Sequence, residues 1–143
     1  MNQVDTNAVL NRLAVVHNRS LATYLTYAAP WATNTDVEAM KTLKDIAEQH
    51  QETTDRLGAM IMENNGTVET GAFPMRFTAW HDVSLAFLLV KLVESQEATI
   101  ATIQECVEQL RLAPMFQAVS EELLGAAKAH LDALHELGAS AQA

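Results

Sequence analysis

Apolar residues recur at three- and four-residue steps along four stretches of the chain, and polar or helix-ending residues fill the gaps between them. The first stretch covers residues 7–29, with Val9, Leu10, Leu13, Val16, His17, Ser20, Leu21, Tyr24 and Tyr27 on one face and Pro30 as its stop. The second, 36–64, opens on Thr35-Asp36-Val37-Glu38. In such a capping box the Thr hydroxyl and the Glu carboxylate each satisfy free amides of the opening turn. Its seam reads Met40, Leu43, Ala47, His50, Thr54, Leu57 and Ile61, and it ends at Asn64-Asn65-Gly66, where Gly66 is expected to supply a left-handed cap. The third stretch, 82–112, carries Leu89, Val93, Gln96, Ile100, Ile103, Val107 and Leu110. Pro114 separates it from the fourth, 115–137, with Phe116, Val119, Leu123, Ala127, His130, Leu134 and Leu137 in line. Gly138 is expected to close that helix before a frayed tail, 139–143.

Residues 67–80 break the pattern, having no helical period and containing Gly71 and Pro74. At ~3.3 Å per residue such a connection is long enough to run the length of a bundle, which would leave the second and third helices parallel. Phe73, Met75, Phe77 and Trp80 predict that it packs on the bundle surface. The expected fold is all-α: one domain over residues 1–143, an antiparallel four-helix bundle made of two helical hairpins joined by a long crossover.

Composition supports helix over sheet, since 49% of residues are hydrophobic, only 6% are aromatic, and glycine and proline number five and three. Eighteen acidic against nine basic residues give a formal charge of −9, which argues against a nucleic acid or an anionic membrane as partner. The densest apolar run, Val83 to Val93, is interrupted by Ser84 and Lys91 and falls short of the ~20 apolar residues a membrane span requires. Cys106 is the only cysteine, so no intrachain disulfide forms. The opening residues Met1 to Asp5 do not read as a signal peptide, and a cytoplasmic location is expected.

The candidate chemistry lies where the seams carry histidine instead of leucine. His17, His50 and His130 each fall on an apolar face, and Glu97 lies beside a fourth. Folding the first hairpin about residue 33 sets His17 opposite residue 49, next to His50. Folding the second about residue 113 or 114 sets His130 opposite Glu97. All four side chains are then expected in one central layer. Imidazole nitrogens with a carboxylate oxygen suit Zn, Fe, Mn, Ni or Cu, and an ion there would offset the cost of burying Glu97. Without metal, the layer must satisfy itself through His–Glu pairs, Tyr24, Gln96, Thr54 or a buried water. Glu48 and Glu52 point away from the His50 stripe, and His81 suits a cap. His135, in Asp132-Ala133-Leu134-His135, suits a solvated helix end. Cys106 reads as a structural core residue.

With those residues in place, the chain resembles the ferritin-like superfamily of rubrerythrin and bacterioferritin bundles, from about Asn7 to Leu137. Members that bind two ions carry Glu on helix one, Glu-x-x-His on helix two, Glu on helix three and Glu-x-x-His on helix four. His50 and His130 fall where the two family histidines belong, and Glu97, with Glu94 as second choice, where the helix-three Glu belongs. Ala47 and Ala127 occupy the positions three before those histidines, and His17, with Ser20 one turn on, takes the helix-one place. Three of the four carboxylates are therefore missing. The resemblance implies a single transition metal (Fe, Zn or Mn) held by His17, His50, Glu97 and His130. Its implied chemistry is oxidoreductase-related, with no substrate or catalytic residue assigned and enzymatic status open. The alternative is a metal-free, non-enzymatic bundle that dimerises or binds a partner through Tyr24, Tyr27, Trp31 and the Met75–Trp80 stretch. A homodimer is expected in either case.

Overall fold

The computed structural model describes residues 3–28, 37–69, 71–75, 77 and 85–142, and every regular element longer than a single turn among them is an α-helix. In chain order these are α1 (Gln3–Asn18), α2 (Leu21–Ala28), α3 (Val37–Glu63), α4 (Leu85–Gln109) and α5 (Pro114–Gln142). None of the described helices is long and apolar enough to cross a membrane. The Thr35-Asp36 half of the capping box, together with Trp31, Trp80 and His81, lies outside the described residues.

The first helix predicted from the sequence is two helices. Ser20 breaks it, because its hydroxyl accepts the Thr23 amide at 3.2 Å and so caps a new helix, α2, in the third-residue pattern of an N-cap. Termination of α3 also differs from expectation. Asn65, at φ 61°, is the left-handed residue. The Gly66 amide donates to the Ile61 carbonyl at 2.8 Å and the Asn65 amide to Met62 at 3.1 Å, which is the paired closure of a Schellman end. Gly66 is required for space instead: a Cβ there would lie 2.5 Å from Asn7 Nδ2 and 2.8 Å from Ile61 Cγ2. At the other end, α4 stops at Gln109, and the Val107 carbonyl accepts both the Leu110 amide at 3.3 Å and the Gln117 side-chain amide at 3.1 Å. Helix α5 runs on through Gly138 to Gln142, since the Ala- and Ser-rich tail retains enough helix propensity to continue it.

Helices α1 and α2 both pack on α3, α4 packs on α5, and contacts of α1 with α4 and α3 with α5 join the two pairs. Paired residues step from Asn7–Asn64 to Ser20–His50 along α1 and α3, and from Val107–Gln117 to Gln96–Ala127 along α4 and α5. The segment after α3 follows the α1 and α2 side. Asn11 is buried, donates to the Thr67 carbonyl at 2.9 Å and accepts the Glu69 amide at 2.7 Å. Gly71 passes Val15, and Phe73 and Phe77 pack on Tyr24 at centroid distances of 5.2 and 5.5 Å. Met75, expected to pack with them, is 83% exposed. Tyr24 is committed to this contact inside the fold.

The apolar interior is divided in two. One cluster gathers Leu21, Leu25, Leu43, Ile46, Leu88, Leu92 and Leu134, and the other Leu10, Leu13, Leu57, Ile61, Ile103, Cys106 and Leu123. On every helix that contributes to both, the gap between them falls near the middle. Arg12–Glu105 and the two-pronged Arg56–Glu122 pair, at 3.0 and 3.2 Å, bridge the helix pairs on the outside. Exposed pairs of this kind are screened by solvent and contribute little, so the clusters carry the stability.

Replacing Gly66 with Ala is expected to cost about 1–3 kcal/mol in urea denaturation, because Asn7 and Asn64 are locked by reciprocal amide bonds and cannot step aside. Asn65→Gly, which relieves a left-handed strain, is expected to leave the midpoint unchanged or raised. An unaffected Gly66→Ala midpoint would rule out the close approach.

Candidate functional site

Between the two apolar clusters lies a polar layer. His17 enters it from the last turn of α1, His50 from the middle of α3 and His130 from α5, with relative exposures of 4%, 2% and 8%. The rings form a file: His17 and His50 centroids are 5.2 Å apart and edge-on, and those of His50 and His130 are 5.4 Å apart. Gln96 on α4 and Ser20 and Thr23 at the α1–α2 break complete the buried polar set at this depth.

Each ring is fixed through one nitrogen. His17 Nδ1 is 2.7 Å from the Leu13 carbonyl, which only accepts, so that nitrogen carries the proton and Nε2 is a lone pair. His130 Nε2 is 2.8 Å from Gln49 Oε1, so His130 is protonated there and bare at Nδ1. His50 Nδ1 lies 2.8 Å from Ser20 Oγ, a hydroxyl that also meets Thr23 Oγ1 at 3.0 Å. His130 Nδ1 is buried and has no hydrogen-bond partner among the described residues. An unsatisfied buried acceptor costs about 1–3 kcal/mol, so this atom marks where something is missing from a protein-only account.

Burial keeps the layer uncharged. Desolvation pushes the His50 imidazole down to about 3, with further lowering from His17 and His130. Desolvation also lowers His17, against a smaller opposing effect of the Leu13 carbonyl bond, and it lowers His130. All three are neutral at physiological pH and available as nitrogen ligands. Burial likewise raises the Cys106 thiol to about 11, which suits an inert core residue.

The expected carboxylate does not join them. Glu97 is exposed, because the buried face of α4 at this level is set by Leu92, Gln96 and Ile103, and one residue past Gln96 turns ~100° toward solvent. Gln96 takes the inward place and donates to the Ala127 carbonyl at 2.9 Å. Glu94 is also outside, 3.2 Å from Lys91. Ala47 is half-buried and Ala127 buried, and neither offers a ligand atom. Glu48, Glu52, Asp132 and His135 are exposed. As the side chains stand, no group of three or more His, Cys, Asp or Glu among the described residues is arranged around an ion.

Two contributors went unrecognised as site residues in the sequence. Ser20 had a signal, a hydroxyl residue with Thr23 three positions later in an otherwise apolar helix. Gln49 had none, since it sits on the exposed flank of α3 and reaches His130 only in the assembled bundle. No protein-family profile, curated protein or solved structure matches this chain.

Because the three folded-state values lie below the ordinary 6.5, protons bind the unfolded chain preferentially. Stability contributed by the neutral rings is complete above about pH 6.5 and is lost as pH falls, at up to about 1.4 kcal/mol per pH unit for a ring as deeply buried as His50. Urea midpoints between pH 7.5 and 5.5 are expected to fall in the wild type and to fall less steeply in His50→Leu. Equal slopes in the two proteins would contradict a neutral, buried His50.

Proposed function

We propose that this chain is a ferritin-like four-helix bundle whose histidine layer binds a single divalent transition-metal ion through His17, His50 and His130. In this reading the two helix pairs are antiparallel and the segment that leaves the end of α3 forms the crossover between them. The stepped pairings of α1 with α3 and of α4 with α5 support that topology, as does the segment that follows α1 past Asn11 and Val15 to Tyr24.

The two-ion centre of the resembled family does not fit. Bridging and neutralising two ions takes several carboxylates, whereas Ala47 and Ala127 replace two of them and Glu97 and Glu94 are exposed. A single ion suits the residues present. The observation that carries the proposal is the orphaned Nδ1 of His130, beside two further neutral imidazoles that are each held by their other nitrogen. Metal-binding histidines characteristically spend one nitrogen on a carbonyl, carboxylate or hydroxyl and ligate with the other. Two imidazoles on one tetrahedral ion have ring centroids ~5 Å apart, close to the 5.2 Å of His17–His50 and the 5.4 Å of His50–His130, and convergence of all three requires the file to bend so that His17 and His130 reach the same spacing. When bound, such an ion supplies Lewis acidity at an open fourth position. The competing metal-free bundle is favoured by the present lack of convergence of the ligand groups. It leaves the cost of the His130 Nδ1 orphan standing.

Protein prepared without an affinity tag is expected to bind one Co²⁺ or Zn²⁺ per chain, read by visible absorption for Co²⁺ and by competition for Zn²⁺. His50→Leu and His130→Leu are expected to weaken binding at least about a hundredfold, whereas Glu97→Gln leaves it unchanged. His130→Leu is also expected to keep or raise the unfolding midpoint, because it removes the unsatisfied atom. Absence of stoichiometric binding, or loss of binding in Glu97→Gln, would overturn the proposal.

A further inference from the structure

The file of histidine rings has an outer end. His130 is the least buried of the three and stands between His50 and a surface residue of α3, Gln49. Gln49 is exposed, and its Oε1 accepts the His130 Nε2 proton at 2.8 Å across the seam between α3 and α5. Those two helices touch far less extensively than α1 with α3 or α4 with α5. Arg56–Glu122 crosses the same seam two turns farther along α3, and at the level of the rings the crossing is made by Gln49–His130. The approach is acidic, because Asp45 and Glu52 lie one turn before and one turn after Gln49 on the same face of α3, and both are exposed. Behind Gln49 lies His130 Nδ1, on a side chain more than nine-tenths buried, with no hydrogen-bond partner among the described residues.

We infer that the divalent cation enters the histidine layer through the α3–α5 seam, with the Gln49–His130 hydrogen bond as a latch that holds the His130 tautomer and gates the ion. Carboxylates that attract a cation, one hydrogen bond and an open lone pair follow one another from solvent to the layer. Releasing Gln49 is cheap, because its amide is at the surface and water replaces the lost bond. Entry past His17 would instead break a bond to the Leu13 carbonyl inside α1. Entry from the cleft beside Ser20 would meet a hydroxyl already committed to Thr23 and His50, which also caps α2. Once unlatched, the His130 ring turns about its side-chain bonds to take the ion at the seam. Relatching returns the Nε2 proton to Gln49 and leaves Nδ1 on the ion, so Gln49 is a positioning residue as well as a gate. The route deepens the metal reading above and rests on it, whereas the latch itself stands on the geometry of the metal-free layer.

Stopped-flow absorption of Co²⁺ uptake, with ring-proton exchange in the metal-free protein, tests both parts. Gln49→Ala is expected to take up Co²⁺ about three- to tenfold faster and to release it faster still, so that equilibrium binding weakens. Asp45→Asn combined with Glu52→Gln is expected to slow uptake at low ionic strength, with the difference fading at high salt. Thr99→Trp, which obstructs the cleft beside Ser20, is expected to leave the rate unchanged. In metal-free protein, the proton on His130 Nε2 is expected to exchange with water faster than the proton on His17 Nδ1. A Co²⁺ uptake rate unchanged in Gln49→Ala, or lowered in Thr99→Trp, would overturn the route even where the ion binds. Exchange at His17 as fast as at His130 would overturn the latch. Faster His130 exchange in a protein that takes up no Co²⁺ would uphold the latch and overturn the ion route together with the metal reading.

Discussion

Three imidazoles in the middle of an apolar bundle have to stay neutral and have to be hydrogen-bonded, and much of the architecture follows from meeting those two conditions at once. The partners come from three places: a helix carbonyl at Leu13, the capping hydroxyl of Ser20 and the side-chain amide of Gln49. Meeting the need at His50 interrupts the first helix, because Ser20 serves both as the N-cap of α2 and as the acceptor or donor at His50 Nδ1. The interruption in turn aims α1 into the cluster around Leu10 and Leu57, and α2 into the cluster around Leu25 and Leu43. A polar layer and a divided core are therefore one feature seen from two sides.

The histidines were legible in the sequence because each replaces an apolar residue on a three-four seam, a position where polarity stands out. Their depth was nearly legible. The hairpin about residue 33 placed His17 opposite residue 49, and the observed pairings of Asn7 with Asn64 and Ser20 with His50 move that pivot only to about residue 35. In the second hairpin the pivot lies near residue 112 instead of 113 or 114, which sets His130 about one turn away from Glu97. A shift of one or two residues in a turn is small along the chain. It is large for a carboxylate, since Glu97 also faces outward once Gln96 occupies the interior position.

Other features were hidden because they depend on who meets whom. Nothing in Asn64-Asn65-Gly66 by itself says that Asn65 takes the left-handed turn and that Gly66 makes room for Asn7, a residue 59 positions earlier. Gln49 carried no signal, being on the exposed flank of α3, and Met75, expected to pack with Phe73 and Phe77, is exposed. Continuation of α5 through Gly138 shows the reverse case, in which a residue that often ends helices is overridden by good helix formers on both sides.

The missing carboxylates shape the chemical reading as strongly as the histidines that are present. A layer built from neutral donors favours one ion over two. It also requires that the rings exist as fixed neutral tautomers before any ion arrives, and this is the claim on which the account turns. Long-range ¹H–¹⁵N correlation of the histidine rings in metal-free protein at pH 7.4 tests it directly. The account predicts three neutral rings in slow exchange, with the proton on Nδ1 of His17 and on Nε2 of His130. Imidazolium signals from these rings, or averaging between the two tautomers of His17 and of His130, would contradict it.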